Sequence, residues 1–160
     1  MIRPIRTAAI ALMVVGALVA PAIHCGAAAT AATVALPNPQ LTPGIIYLSV
    51  TAAQICQPGY ASGVRDVSSQ TKRQIYLEYG IAHHRSGQYE VDHLVPLELG
   101  GSNNIRNLWP QPATYPGFHQ KDHLETYLHD RVCSGQEALR QAQHDIAVNW
   151  YQTWLAAGQP

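Results

Sequence analysis

Charge is scarce in this chain. Only 12% of its 160 residues are Asp, Glu, Lys or Arg, and ten cations balance ten anions to a formal net charge of zero. A strongly basic balance marks tight, static nucleic-acid binders. Its absence argues against that class, and argues less against an enzyme that must release its substrate. Low-complexity tracts and internal repeats are missing too, so the composition is that of one ordinary globular domain. The apolar run Thr7 to Ala20 falls short of the roughly 20 residues that a comfortable membrane span needs. Cysteine is rare, with three residues at positions 25, 56 and 133.

What is present begins with an address. Arg3 and Arg6 precede the Thr7–Ala20 run, Pro21 breaks it, and the Ala-rich stretch Gly26 to Ala35 follows. That order matches a secretory signal peptide over about residues 1–29, cleaved somewhere between 22 and 35. The expectation is an exported protein, periplasmic or secreted, with no stable membrane association after cleavage. Cleavage removes Cys25 and leaves Cys56 and Cys133 in an oxidising compartment, where they are expected to pair as a disulfide. It also removes Arg3 and Arg6, which leaves eight Lys and Arg against ten Asp and Glu, with seven His.

Residues 30–50, with Pro37, Pro39, Pro43 and Gly44, read as an extended linker, and residues 51–160 as the functional domain. Thr51 can cap a short helix ending near Cys56, and Gln57-Pro58-Gly59 forces a turn. Val67 to Tyr79 carries helical signals: Ser68 or Ser69 as N-cap, Ile75, Tyr76 and Tyr79 on one face, and Gly80 at the end. Lys72 and Arg73 on this helix serve either as a solvated face or as phosphate contacts. Gln88 to Pro96 reads as a strand running into a loop, and Asn107 to Trp109 as a second strand stopped by Pro110 and Pro112. A helix from about Gly117 to Val132 keeps Leu124, Leu128 and Val132 as a core stripe. A last helix is expected from a capping box at Ser134-Gly135-Gln136-Glu137, with Leu139, Ala142, Ile146 and Trp150 at helical spacing and Gly158 at its end.

The chemistry concentrates between Tyr89 and His129. Asp92 and His93 are adjacent where a strand becomes a loop, so both side chains can converge on one site. A carboxylate suits a hard cation, and a neutral imidazole beside it can accept a proton from water. His119 and His123 are spaced i, i+4 on the expected helix, which puts both on one face, as two-His metal sites need. A metal and a base together suit phosphodiester hydrolysis. The pair His83-His84, before Arg85-Ser86-Gly87, reads as a solvated loop.

The order of the pieces is more telling than any one of them. Tyr89-Glu90-Val91-Asp92-His93-Leu94-Val95-Pro96-Leu97-Glu98-Leu99-Gly100-Gly101-Ser102-Asn103-Asn104-Ile105-Arg106-Asn107-Leu108-Trp109-Pro110, followed by Gly117-Phe118-His119-Gln120-Lys121-Asp122-His123, closely resembles the HNH (ββα-metal) endonuclease family. More narrowly it is similar to small exported members with a Pro-Leu-Glu-Leu-Gly-Gly stretch and a following Asn-Leu-Trp-Pro. The resemblance runs from about Val67 to the C-terminus.

The resemblance implies an α+β fold, with a β-hairpin and one helix forming the metal module and flanking helices around it. It implies a metal-dependent endonuclease that cleaves DNA, or RNA, with little sequence specificity and without an obligate protein partner. Asp92 takes the place of the first metal ligand and His93 that of the general base. Asn107 takes the place of the central Asn that holds the hairpin loop and orients the base, with Asn104 as runner-up. His119 matches the helix ligand and His123 an additional one, with Glu125 and His129 as reserve ligands. Lys121 fits a phosphate contact. Mg²⁺ or Mn²⁺ suits such a site, and Zn²⁺ or Ni²⁺ suits two His plus Asp. The connection from Asn107 to His119 is longer than in compact members, and the family's zinc-knuckle cysteines are missing; the Cys56–Cys133 disulfide would staple the fold instead.

Overall fold

The computed structural model describes residues 34–160, so the expected signal segment lies outside the described residues. Among the described residues, five α-helices and one antiparallel hairpin make up a mixed α and β fold: α1 (Ala52–Ile55), α2 (Tyr60–Val64), α3 (Ser69–Glu78), β1 (Tyr89–His93), β2 (Leu108–Pro112), α4 (Phe118–Cys133) and α5 (Leu139–Ala156). Single 3₁₀ turns at Leu97–Leu99 and Ile105–Asn107 shape the long loop between the strands.

The hairpin divides the core. Successive side chains on a strand face opposite ways, and the register pairs Val91 with Pro110, Asp92 with Trp109 and His93 with Leu108. Val91 and Leu108 pack on Ile75 of α3. Trp109 joins the larger cluster, where Leu124, Leu128 and Val132 of α4 meet Ala142, Ile146, Trp150 and Trp154 of α5. The expected stripes on α4 and α5 are therefore the observed core.

Pro110 and Pro112 do not stop β2, which runs through both. On the β2 side the cross-links fall on odd-numbered residues: Leu94 N–H donates to Asn107 O (2.7 Å) and Ala113 N–H to Gln88 O (3.0 Å). The prolines sit at the even positions, which face away from β1, and in a two-stranded sheet an outward-facing position needs no donor.

Ser134 to Glu137 do not open the last helix. Ser134 is the C-cap of α4, and Gly135 follows at φ 74°. Its neighbour Gln136 donates its N–H to Arg131 O at 2.8 Å, so the segment is a helix stop built on a left-handed glycine. Glu137 instead accepts from Arg131 Nε at 2.9 Å. Helix α5 starts at Leu139 and kinks at Asn149 (φ −163°, ψ 90°). There the Asn149 side chain accepts from Gln152 N–H at 3.0 Å and caps the second half as an N-cap does.

The proline-bearing arm is not a spacer over its described part. Thr42 is buried and donates its hydroxyl to Leu108 O (2.9 Å), Gly44 N–H donates to Arg106 O (3.2 Å), and Ile46 bridges Gly101. Fixed φ at Pro37, Pro39 and Pro43 lowers the entropy lost when this arm docks. The folded unit thus starts well before residue 51.

Candidate active site at the hairpin mouth

The site is assembled by the loop that leaves β1. Asn107 is fully buried and clamps that loop: its Nδ2 donates to Val95 O and Ser102 O, both at 2.9 Å, and its Oδ1 accepts from Val95 N–H at 3.0 Å. Gly101 lies against the same carbonyl so closely that a Cβ would overlap the Val95 oxygen. Replacing Asn107 with alanine orphans three buried backbone groups. We expect a loss of roughly 2–4 kcal/mol, read as a lower denaturant midpoint with unchanged slope; a midpoint within error of wild type would refute the clamp.

The loop sets His93 and Asp92 at the mouth of the hairpin. The His93 imidazole is 1% exposed, and its Nε2 lies 3.1 Å from Asn103 Oδ1. Asn103 Nδ2 donates to Val64 O at 2.6 Å, which fixes the amide with its oxygen toward the ring. Nε2 is therefore the protonated nitrogen, and Nδ1 keeps the basic lone pair. Burial holds the imidazole below its ordinary value, against the opposing pull of Asn103 and Asp92. Asp92 Oδ1 accepts from the His93 N–H at 2.8 Å, and Oδ2 accepts from Lys121 Nζ at 2.8 Å.

A polar cavity of about 40 Å³ opens here, lined by Ala61, Arg65, Asp92, His93, Pro96, Leu97, Glu98 and Glu125. That is room for water and not for a nucleotide, so a polymeric substrate would lie across the rim. Burial pushes Glu98 up from the usual carboxylate range, partly countered by His129 and Lys121.

Lys121 is fully buried, not a surface phosphate contact. Its ammonium donates to Asp92, to His93 O (2.6 Å) and to Glu125. Burial alone would lower its pKa; the charges of Asp92 and Glu125 and their hydrogen bonds outweigh it and raise it, so Lys121 stays an ammonium. Glu125 is driven up by burial and Asp92 against the pull of Lys121.

His119 and His123 do not join Asp92. Both are exposed on α4, and the His119 side chain, 70% accessible, is 4.0 Å from Asp122. Helix geometry gives the reason. At about 100° per residue, the two histidines lie about 140° and 100° to one side of the core position Leu124. Lys121 and Glu125 lie about 60° and 100° to the other side, toward β1. Lys72 and Arg73 are exposed on α3. Arg65 is not singled out by sequence, because α2 is too short to show a period, and the resemblance ranks Asn107 and Asn104 ahead of Asn103.

The residues around Asp92 therefore do not fit the expected metal set: the helix ligands face elsewhere, and both Asp92 oxygens are engaged by donors. Among the described residues, the one His/Cys/carboxylate group close enough to hold a metal ion is Cys56, His129 and Cys133. Cys56 and Cys133 form a disulfide, as the cysteine count predicts. Their sulfurs are bonded to each other, and His129 Nε2 lies 3.2 Å from Ile55 O and 3.4 Å from Cys133 Sγ. The disulfide is consistent with an oxidising, extracellular location, and no described helix is long and apolar enough to cross a membrane.

Set against family profiles, characterised proteins and solved structures, the chain gives no match.

Proposed function

We propose that this chain is an exported endonuclease of the HNH kind, hydrolysing phosphodiester bonds in DNA with little sequence specificity. In this reading β1, β2 and α4 are the ββα module. The observation that carries it is the buried, neutral His93, held by Asn103 with Nδ1 basic, in a water-sized polar cavity beside Asp92.

The chain's own residues account for the base chemistry. His93 Nδ1 takes a proton from water as the water oxygen attacks phosphorus, and the leaving oxygen departs from the opposite side. Arg65, at the rim, can contact a phosphate oxygen. The resemblance brings Mg²⁺ or Mn²⁺, or Zn²⁺ or Ni²⁺ with a two-His set, but the residues gathered here do not build that set. The order of charge and apolar residues over positions 1–29, together with the disulfide, supports export.

The test is supercoiled-plasmid cleavage by the oxidised chain, with EDTA, Mg²⁺, Mn²⁺ and Zn²⁺ in parallel and His93→Ala beside wild type. Single-stranded DNA and RNA serve as further substrates. Cleavage that disappears in His93→Ala supports the reading; no cleavage of any substrate under any condition rejects it.

The depressed His93 pKa gives a pH signature. Between the folded value and the ordinary 6.5, the unfolded chain binds a proton that the folded chain refuses. The stabilisation is complete above pH 6.5 and is lost as pH falls through the folded value. The base also stays neutral below pH 6.5, so the acid limb of a cleavage profile is expected on the acid side of 6.5. A limb centred above 6.5 would contradict the burial argument.

A non-catalytic metal-binding module on the same scaffold is the second reading, favoured by the gathering of Cys56, His129 and Cys133. It predicts stoichiometric Zn²⁺ uptake after reduction of the disulfide, since the donors are then thiolates.

A further inference from the structure

We propose that the Lys121 ammonium is the resident cation of this site, standing between Asp92 and Glu125 in the place that the family resemblance reserves for a divalent metal. The inference rests on the nuclease reading for its catalytic meaning, but its structural content stands apart from it.

Three observations carry it. First, an ammonium has three hydrogens, and Lys121 has three acceptors: Asp92 Oδ2 at 2.8 Å, His93 O at 2.6 Å and Glu125 Oε1. Its side chain is 0% exposed, so the group is built in rather than draped over the surface. Second, Asp92 and Glu125 come from different elements, β1 and α4, and converge on that one nitrogen. Carboxylates converging on a point are what a hard cation requires, and here the point is already occupied by positive charge. Third, the remaining Asp92 oxygen accepts from the His93 N–H at 2.8 Å, and no histidine of α4 reaches the place. A divalent ion would have to displace the ammonium from all three of these acceptors before it could take their oxygens.

With every hydrogen committed, Lys121 does not touch substrate; it is a positioning residue. It ties the carbonyl of His93 and the carboxylate of Asp92 to α4, which fixes the base at the hairpin mouth. It also puts a fixed positive charge beside the cavity where a phosphorane would develop negative charge.

Binding of Mn²⁺ to the full oxidised chain, followed by electron paramagnetic resonance and calorimetry, tests the inference without relying on turnover. Wild type is expected to show no 1:1 Mn²⁺ site that depends on Asp92. Lys121→Met keeps the stem and removes the charge. It is expected to bind Mn²⁺ at least about tenfold tighter than wild type, with the gain abolished in Lys121→Met/Asp92→Asn. A 1:1 Mn²⁺ site in wild type that vanishes in Asp92→Asn overturns the proposal, and this arm decides alone if Lys121→Met does not fold. Cleavage that persists in EDTA supports the proposal, and cleavage that requires added metal overturns it. The expected Mn²⁺ pattern in a chain that cleaves nothing rejects the nuclease reading and leaves the resident cation in place.

Discussion

Replacing His93 with alanine is expected to lower phosphodiester cleavage by about 10²–10⁴-fold, the usual span for a general base. The imidazole is buried, so alanine also leaves a hole, and loss of activity could reflect loss of fold. Glutamine is the companion variant: it preserves a polar group facing Asn103 but has no basic nitrogen. If His93→Gln retains the wild-type melting temperature and still loses at least about 10²-fold in rate, the role is chemical. A His93→Gln chain that cleaves at the wild-type rate would remove His93 from the mechanism. Asn103→Ala should show a smaller loss, because the ring remains but its tautomer and orientation are no longer dictated by an amide fixed on Val64 O.

Removing the Cys56–Cys133 bond is expected to be the largest single loss of stability. The closed loop spans 77 residues, and the chain-entropy relation gives about 4.5 kcal/mol for a loop of that size. Cys56→Ala/Cys133→Ala, or wild type under strong reductant, should lower the unfolding free energy by roughly that amount in a chemical denaturation series. A drop below about 1 kcal/mol would mean that the reduced, unfolded chain already keeps its ends close. Activity should fall with stability and not ahead of it, since neither cysteine lines the cavity that holds His93.

Much of the architecture is legible in the sequence because it depends on local rules. Ser68 accepts from Thr71 N–H and opens α3 as an N-cap should, Gly80 follows that helix at φ 70°, and the stripes on α4 and α5 face the core. Local rules mislead where they compete. Pro110 and Pro112 signal a strand end, yet their positions in the ladder need no donor. Ser134-Gly135-Gln136-Glu137 satisfies a capping pattern, yet Gly135 in the left-handed region makes it a stop.

The candidate site was half legible. Asp92, His93 and Asn107 occupy the mouth of the hairpin and its clamp. His119 and His123 share a face of α4, which spacing reveals, but that face is exposed, which spacing reveals only when measured against Leu124. The burial of Lys121 is hidden from the sequence because an isolated lysine is ordinarily solvated, and only the docking of α4 on β1 gives it three buried acceptors. Arg65 and Asn103 were unreadable, since each matters through one tertiary contact.

The disulfide has a topological consequence as well as an energetic one. Every residue that lines the cavity, together with Asn103, Asn107 and Lys121 behind it, lies between Cys56 and Cys133 in the chain. The bond therefore makes the whole site part of one covalent ring. The stretch from Ala82 to Gly87 is exposed and carries no helix or strand, which makes it an accessible place for a protease to cut. A single cut there opens the ring without detaching either part, so the nicked molecule keeps its full set of site residues in one covalent piece, a tolerance suited to surroundings that contain proteases.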